Sequence, residues 1–173
     1  GDGLEGVLHE RSKDLWGITN GIDYTIWNPE TDKYIIANYG IKKLGGKQLC
    51  KKSLQRTYKL PERDVPVVGM VTRLAKQKGL DLIIAKFHDL MKLDIQFVLL
   101  GSGDPMYHEI FQGFAKVFPE KMAVKLTFDE PSAHEIEAGA DIFLMPCHYE
   151  PCGLNQLYSL SYGTVPIARS TGG

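Results

Sequence analysis

From Val65 to the end of the chain, short apolar runs recur between longer amphipathic stretches, and this alternation restricts the fold more than any other feature. The runs are Val65–Thr72, Ile95–Leu100, Met122–Phe128, Asp141–Met145 and Thr164–Ala168. Most are apolar almost throughout, which predicts parallel strands covered by helices on both faces. Between them, Gly79–Met91 places Leu80, Ile83, Ile84, Phe87 and Leu90 at helical spacing, and Met106–Phe118 does the same with Ile110, Phe111, Phe114 and Val117. Ser132–Ala138, opened by Pro131, and Gly153–Tyr162, stopped by Gly163, complete the series. Helices of this length suffice to cross between parallel neighbours. The pattern predicts a Rossmann-like, doubly wound parallel α/β sheet over residues 65–173.

Residues 1–64 read differently. Leu15-Trp16-Gly17-Ile18 runs into the turn Asn20-Gly21-Ile22-Asp23, and Trp27-Asn28-Pro29 interrupts any regular element after it. A helix over about 44–58 then leads in to the first strand, with Leu44, Leu49, Leu54 and Tyr58 as its apolar stripe and Lys42, Lys43, Lys47, Lys51 and Lys52 as its expected solvated face. The division is thus a connecting segment with a lead-in helix (1–64) and a sheet domain (65–173). The last strand runs straight into Gly172-Gly173, so the chain is expected to be truncated at both ends.

Charge excludes some partners. With 20 basic and 21 acidic residues the net charge is −1, which leaves no field to favour nucleic acid. No apolar stretch approaches the roughly 20 residues of a membrane-spanning helix, so no membrane partner is expected. Three cysteines without framework spacing fit a reducing compartment.

In an open α/β sheet, ligands sit beyond the carboxyl ends of the strands. After the first strand, Arg73, Lys76 and Lys78 precede a helix start, an arrangement suited to a diphosphate. After the second, Gly101-Ser102-Gly103 is best read as a tight strand-to-helix turn. After the fourth, Glu150 stands at a strand end, with the amides of Gly153, Leu154 and Asn155 nearby to receive phosphate oxygens. Cys147, His148 and Cys152 lack the second ligand pair of a structural zinc site, and the cysteines are read as packing residues, with no metal expected. His9, His88, His108 and His134 fit exposed or helix-surface positions and have no nucleophile partner.

Taken jointly, three segments resemble the glycogen and starch synthase family of retaining glucosyltransferases. They are Gly17-Ile18-Thr19-Asn20-Gly21-Ile22-Asp23 with Trp27-Asn28-Pro29; Gly69–Leu74 with Gln77-Lys78-Gly79-Leu80-Asp81; and Glu150-Pro151-Cys152-Gly153-Leu154 with Gln156-Leu157-Tyr158, Tyr162-Gly163-Thr164 and Arg169–Gly173. The resemblance implies the nucleotide-sugar-binding lobe of a two-lobed GT-B enzyme, with residues 1–64 as an interlobe segment and Gly1–Gly6 as the stretch leaving the other lobe. It implies a nucleoside diphosphate glucose donor, ADP-glucose ahead of UDP-glucose, and an α-1,4-glucan acceptor reached through the full-length enzyme, with no cofactor. Arg73 and Lys78 would neutralise the departing diphosphate and Glu150 would hold the glucose, as the catalytic set. Asn20, Phe128, Cys152, Gly153, Leu154 and Asn155 would form the substrate-binding set, Phe128 against the base. Tyr158 stands where many related lobes carry a second glutamate, a difference this branch shares. Localisation would be cytoplasmic in a bacterium or plastidial in a plant.

Two other readings compete. A sucrose or trehalose-phosphate type of retaining glycosyltransferase is opposed by the Cys152 and Tyr158 pattern and by Gly17–Asp23. A non-catalytic nucleotide-binding module is opposed only by the Arg73, Lys78 and Glu150 constellation.

Overall fold

A computed structural model describes residues 3–172. Gly1, Asp2 and Gly173, the outer ends of the glycine-rich start and of the Arg169–Gly173 motif, lie outside the described residues. Five strands, β1 (Val67–Leu74), β2 (Gln96–Gly103), β3 (Met122–Lys125), β4 (Ile142–Met145) and β5 (Val165–Ala168), form one sheet in the order β3-β2-β1-β4-β5. All pairings are parallel. The helices are α1 (Glu5–Glu10), α2 (Gly45–Thr57), α3 (Leu80–Lys92), α4 (Pro105–Val117), α5 (Glu130–Gly139) and α6 (Leu154–Ser161). The expected Rossmann-like sheet is present, and each expected strand and helix has a counterpart.

The continuous apolar runs arise because the two-residue strand repeat sends alternate side chains to two buried faces. From β1, Val68 and Met70 join Phe97 and Leu99 of β2 under Ile83 and Phe87 of α3 and Tyr107 and Phe111 of α4. On the opposite face, Val67, Val98, Leu100, Phe143 and Met145 pack against Leu54 of α2 and Ile136 of α5. Turn chemistry supports the helix starts. Asp104 caps α4 through the Met106 amide (2.9 Å), and Asp129 caps α5 through the Ser132 amide (3.1 Å), with a proline in each first turn.

Several expectations change. Gly101 to Gly103 belong to β2 itself, paired with Thr72, Arg73 and Leu74 of β1, so they are strand and not turn. β3 ends at Lys125, three residues short of Phe128. The short exposed helix α1 has no periodic apolar stripe and was not anticipated.

The lysine face of α2 is not wholly solvated. Lys51 is buried beside Asp141 (2.8 Å), whose carboxylate also accepts the Val67 amide (2.7 Å) at the start of β1. Lys47 donates to the carbonyls of Ala138 (3.1 Å) and Tyr162 (3.0 Å) and to the Thr164 hydroxyl (2.8 Å). Burial lowers its pKa to about 8 despite nearby carboxylates. A one-dimensional pattern marks lysine as polar but does not show that carbonyls at the ends of α5 and α6 wait for it.

The contact of α2 with α5 is close enough to require Gly139. A Cβ there would stand 2.7 Å from the Leu54 Cβ and 2.9 Å from the Cys50 carbonyl oxygen. Gly139→Ala is expected to lower unfolding free energy by about 1–3 kcal/mol through overpacking, read as a reduced denaturation midpoint with unchanged slope.

Candidate functional site

The sheet grows in both directions from β1, to β2 and β3 on one side and to β4 and β5 on the other. Connections leaving the carboxyl ends of β1 and β4 therefore part, and a crevice opens between them. A cleft of about 380 Å³ occupies it. Asn20, Arg73, Lys78, Glu150, Cys152, Gly153, Leu154 and Asn155 all line this cleft, so eight of the nine residues singled out from sequence come together. Phe128 lines a second cleft of about 490 Å³, which shares the wall Val71, Thr72, Arg73 and Asn155 with the first.

Backbone geometry fixes the loops of the first cleft. Gly79 adopts φ +71° in front of α3, and a Cβ there would stand 2.0 Å from the Pro146 carbonyl oxygen. This position needs glycine twice over, for its left-handed backbone and for the close approach of the β4 loop. The His148 amide donates to the Gln77 carbonyl (2.8 Å) and the Gln77 side-chain amide to the Tyr149 carbonyl (3.1 Å). Loops 72 residues apart in sequence are thereby stitched together.

That stitching brings Lys78 Nζ to 2.6 Å from Glu150 Oε2, both side chains largely buried. Burial alone would raise the Glu150 pKa, but the Lys78 hydrogen bond and charge, with the Cys147 thiol and the Gly153 amide, outweigh it and hold the carboxyl below its ordinary value. The Gly153 amide is thus already engaged by Glu150. Leu154 and Asn155, in the first turn of α6, keep amides without intrahelical acceptors. Arg73 is exposed and makes no ion pair among the described residues, so its charge is open to an anionic ligand. Asn20 reaches the site from the amino-terminal segment, its carbonyl 3.9 Å from the Cys152 thiol.

The cysteines separate in role. Cys147 is buried and donates to Glu150 (3.5 Å), with burial raising its pKa, whereas Cys152 faces the cleft and is not simply a packing residue. His148 lies between Asp81 (2.8 Å) and Arg169 (2.8 Å). Among the described residues there is no group of three or more His, Cys, Asp or Glu side chains placed to hold a metal ion.

The second cleft is largely apolar, and Phe128 stands 90% exposed at its margin. Trp27 forms part of its wall, stacked between Tyr158 (4.0 Å) and His134 (3.8 Å). His134 is fully buried, contrary to the surface position expected of it. Its Nδ1 lies 2.7 Å from the buried Asp32 carboxylate, which also accepts the Tyr162 hydroxyl. Because the carboxylate only accepts, this network assigns the His134 proton to Nδ1. Trp27, Tyr158 and Glu137 were not among the residues singled out for the site. The available signals were the Trp27-Asn28-Pro29 interruption, a costly aromatic in a stretch without periodicity, and Tyr158 at the position of the second glutamate of related lobes; nothing marked Glu137.

Comparisons with known proteins bear on the family and the fold. The family model described as glycosyl transferases group 1 matches residues 52–173. Glycogen synthase 1 of Geobacter metallireducens is 55% identical over all of this chain, which covers 35% of that protein. The glycogen synthase of Bacillus cereus is 50% identical over all of the chain, covering 37% of that protein. The chain therefore spans little more than a third of the curated relatives it matches. Among solved structures, the catalytic domain of starch synthase IV from Arabidopsis thaliana, bound to ADP and acarbose, superimposes with TM-score 0.94. It is 41% identical, and the match covers 100% of this chain and 36% of that one.

Glu150 carries a signed pH effect. Its folded pKa is depressed, so its contribution to stability is present above the unfolded pKa and is lost as pH falls through the folded value. Glu150→Gln is expected to flatten the stability profile below about pH 4.5 while leaving its neutral-to-alkaline shape unchanged, as checked by urea unfolding across pH.

Proposed function

Since the chain belongs to the glycosyl transferases group 1 family, we propose that it is the donor-binding part of a retaining glucosyltransferase of glycogen or starch synthesis. The observation that carries the proposal is the placement of Arg73, Lys78 and Glu150 around one cleft at the sheet's switch point. Identity of 50–55% to glycogen synthases along the whole chain supports glucose as the transferred sugar. The starch synthase neighbour, bound to ADP, supports ADP-glucose over UDP-glucose as donor.

On this reading the diphosphate lies along the shared wall of the two clefts. Arg73 and Lys78 oppose its charge, and the amides of Leu154 and Asn155 donate to its oxygens. Because Arg73 has no carboxylate partner among the described residues, its positive charge is available to the leaving diphosphate as the glycosidic bond breaks, where preorganised charge stabilises most. Lys78 does double duty, since its bond to Glu150 also aims that carboxylate. Glu150 holds donor glucose hydroxyls in the first cleft, with Asn20 on the same sugar. The base enters the second cleft against Phe128. Retention of configuration follows if the acceptor hydroxyl attacks from the face the diphosphate leaves and the diphosphate takes its proton. The acceptor is the non-reducing end of an α-1,4-glucan, bound through the full-length enzyme, and the setting is the cytoplasm of a bacterium or the plastid of a plant.

Arg73→Ala is expected to weaken ADP-glucose binding by about ten- to a hundredfold, the scale of charge-assisted hydrogen bonds. Calorimetry on the full-length enzyme checks it, and unchanged affinity in both Arg73→Ala and Glu150→Ala would place the donor elsewhere. Phe128→Ala should cost about 1–3 kcal/mol of nucleotide affinity if the base stacks there. Competition of ADP against UDP tests the choice of donor. The 173-residue chain alone should bind donor without elongating glucan, and a radiolabelled elongation assay that returned product would contradict this.

A further inference from the structure

Glu137 is a buried carboxyl that the donor reading leaves unused. It projects from α5 with 2% exposure, yet it lines the second cleft together with Phe128, Trp27, Tyr158 and Asn155. One oxygen is anchored: Ser159 of α6 donates to Oε2 at 2.8 Å, and the Ser159 hydroxyl also lies 2.7 Å from the Asn155 carbonyl. The other oxygen has no partner among the described residues and is not among their sealed, unsatisfied side-chain atoms, which places it at the cleft surface. A carboxyl held at one end and free at the other, in a largely apolar wall, is a costly arrangement unless a ligand completes it.

Its place along the clefts indicates which part of a ligand would do so. Asn155 belongs to the wall shared by the two clefts, and Glu137 is one hydrogen-bonded link from it through Ser159. A nucleoside diphosphate whose phosphates lie at Arg73 and Lys78, and whose base lies at Phe128, carries its ribose between these points. Resting on the donor reading above, we propose that Glu137 is a specificity-determining residue whose free carboxyl oxygen takes the ribose hydroxyls of the bound nucleoside diphosphate. Burial pushes the Glu137 carboxyl up to about 8, against the opposing effects of Ser159 and Lys47, so it keeps its proton near neutral pH. With Oε2 sharing a proton with Ser159, the free oxygen accepts from a ribose hydroxyl.

The test is calorimetric titration of the full-length enzyme with ADP and with 2′,3′-dideoxy-ADP. The wild-type protein should prefer ADP by about tenfold, the scale of a hydrogen bond to a buried polar group. Glu137→Met should bind the two nucleotides alike, whereas Arg73→Ala should weaken both and keep their ratio. Retention of the wild-type preference in Glu137→Met overturns the inference. So does a Glu137→Met protein that loses discrimination between ADP and inosine diphosphate while keeping the ribose preference, because Glu137 would then contact the base. Failure of the wild-type protein to bind ADP at all would instead overturn the donor site itself. A readout independent of variant folding comes from carbon-13 spectra of labelled glutamate in the wild-type protein. The Glu137 carboxyl resonance, assigned with Glu137→Gln, should move with ADP and not with the dideoxy nucleotide, and equal response to both contradicts the proposal.

Discussion

The position of β1 between β2 and β4 governs the rest of the structure. Because the strand order reverses at β1, the connection leaving β1 and the one leaving β4 pass over opposite faces of the sheet. A crevice therefore opens at the carboxyl ends of β1 and β4. The two buried faces supply the stability that permits it. Phe87, Phe97 and Phe111 are fully buried on one side and Leu54, Ile136 and Phe143 on the other, so the open edge does not need to contribute to the core.

Polar groups then set the shape of what the crevice can hold. Lys78 and Glu150 neutralise one another at 2.6 Å, while Arg73 has no ion pair among the described residues, so the first cleft offers a net positive charge at one end and an oriented carboxylate at the other. The second cleft depends on a different network. Asp32 receives both His134 and Tyr162, and this buried cluster seats Trp27 between His134 and Tyr158. The residues before the sheet are consequently more than a lead-in. They close one wall of the apolar cleft and deliver Asn20 to the polar one.

How much of this was legible in advance depends on which forces act locally. Strand-end logic located Arg73, Lys78 and Glu150, because the chain's own periodicity marks roughly where each strand stops, although Arg73 falls inside the last two residues of β1 and not beyond them. The glycines at 101 and 103 were misread as a turn because glycine signals backbone freedom without saying what needs it. Here the nearest neighbours are the Thr72 and Leu74 carbonyls of an adjacent strand. His134 and Lys47 were misplaced for a related reason. A polar side chain is tolerated in the interior only when its partners are present, and those partners, Asp32 and the carbonyls of Ala138 and Tyr162, lie roughly 90 to 115 residues away.

By itself, the sequence determined the alternation of strand and helix, the two-faced burial that a continuous apolar run demands, and the cationic and acidic residues near the carboxyl ends of β1 and β4. These are consequences of local periodicity and of short-range turn chemistry. Only the tertiary structure decided that Lys78 meets Glu150, that Trp27 is stacked into the wall of the second cleft and that Glu137 faces the same space. Each of those contacts joins residues far apart along the chain, and their free energy exists only once the sheet has fixed the distance between them.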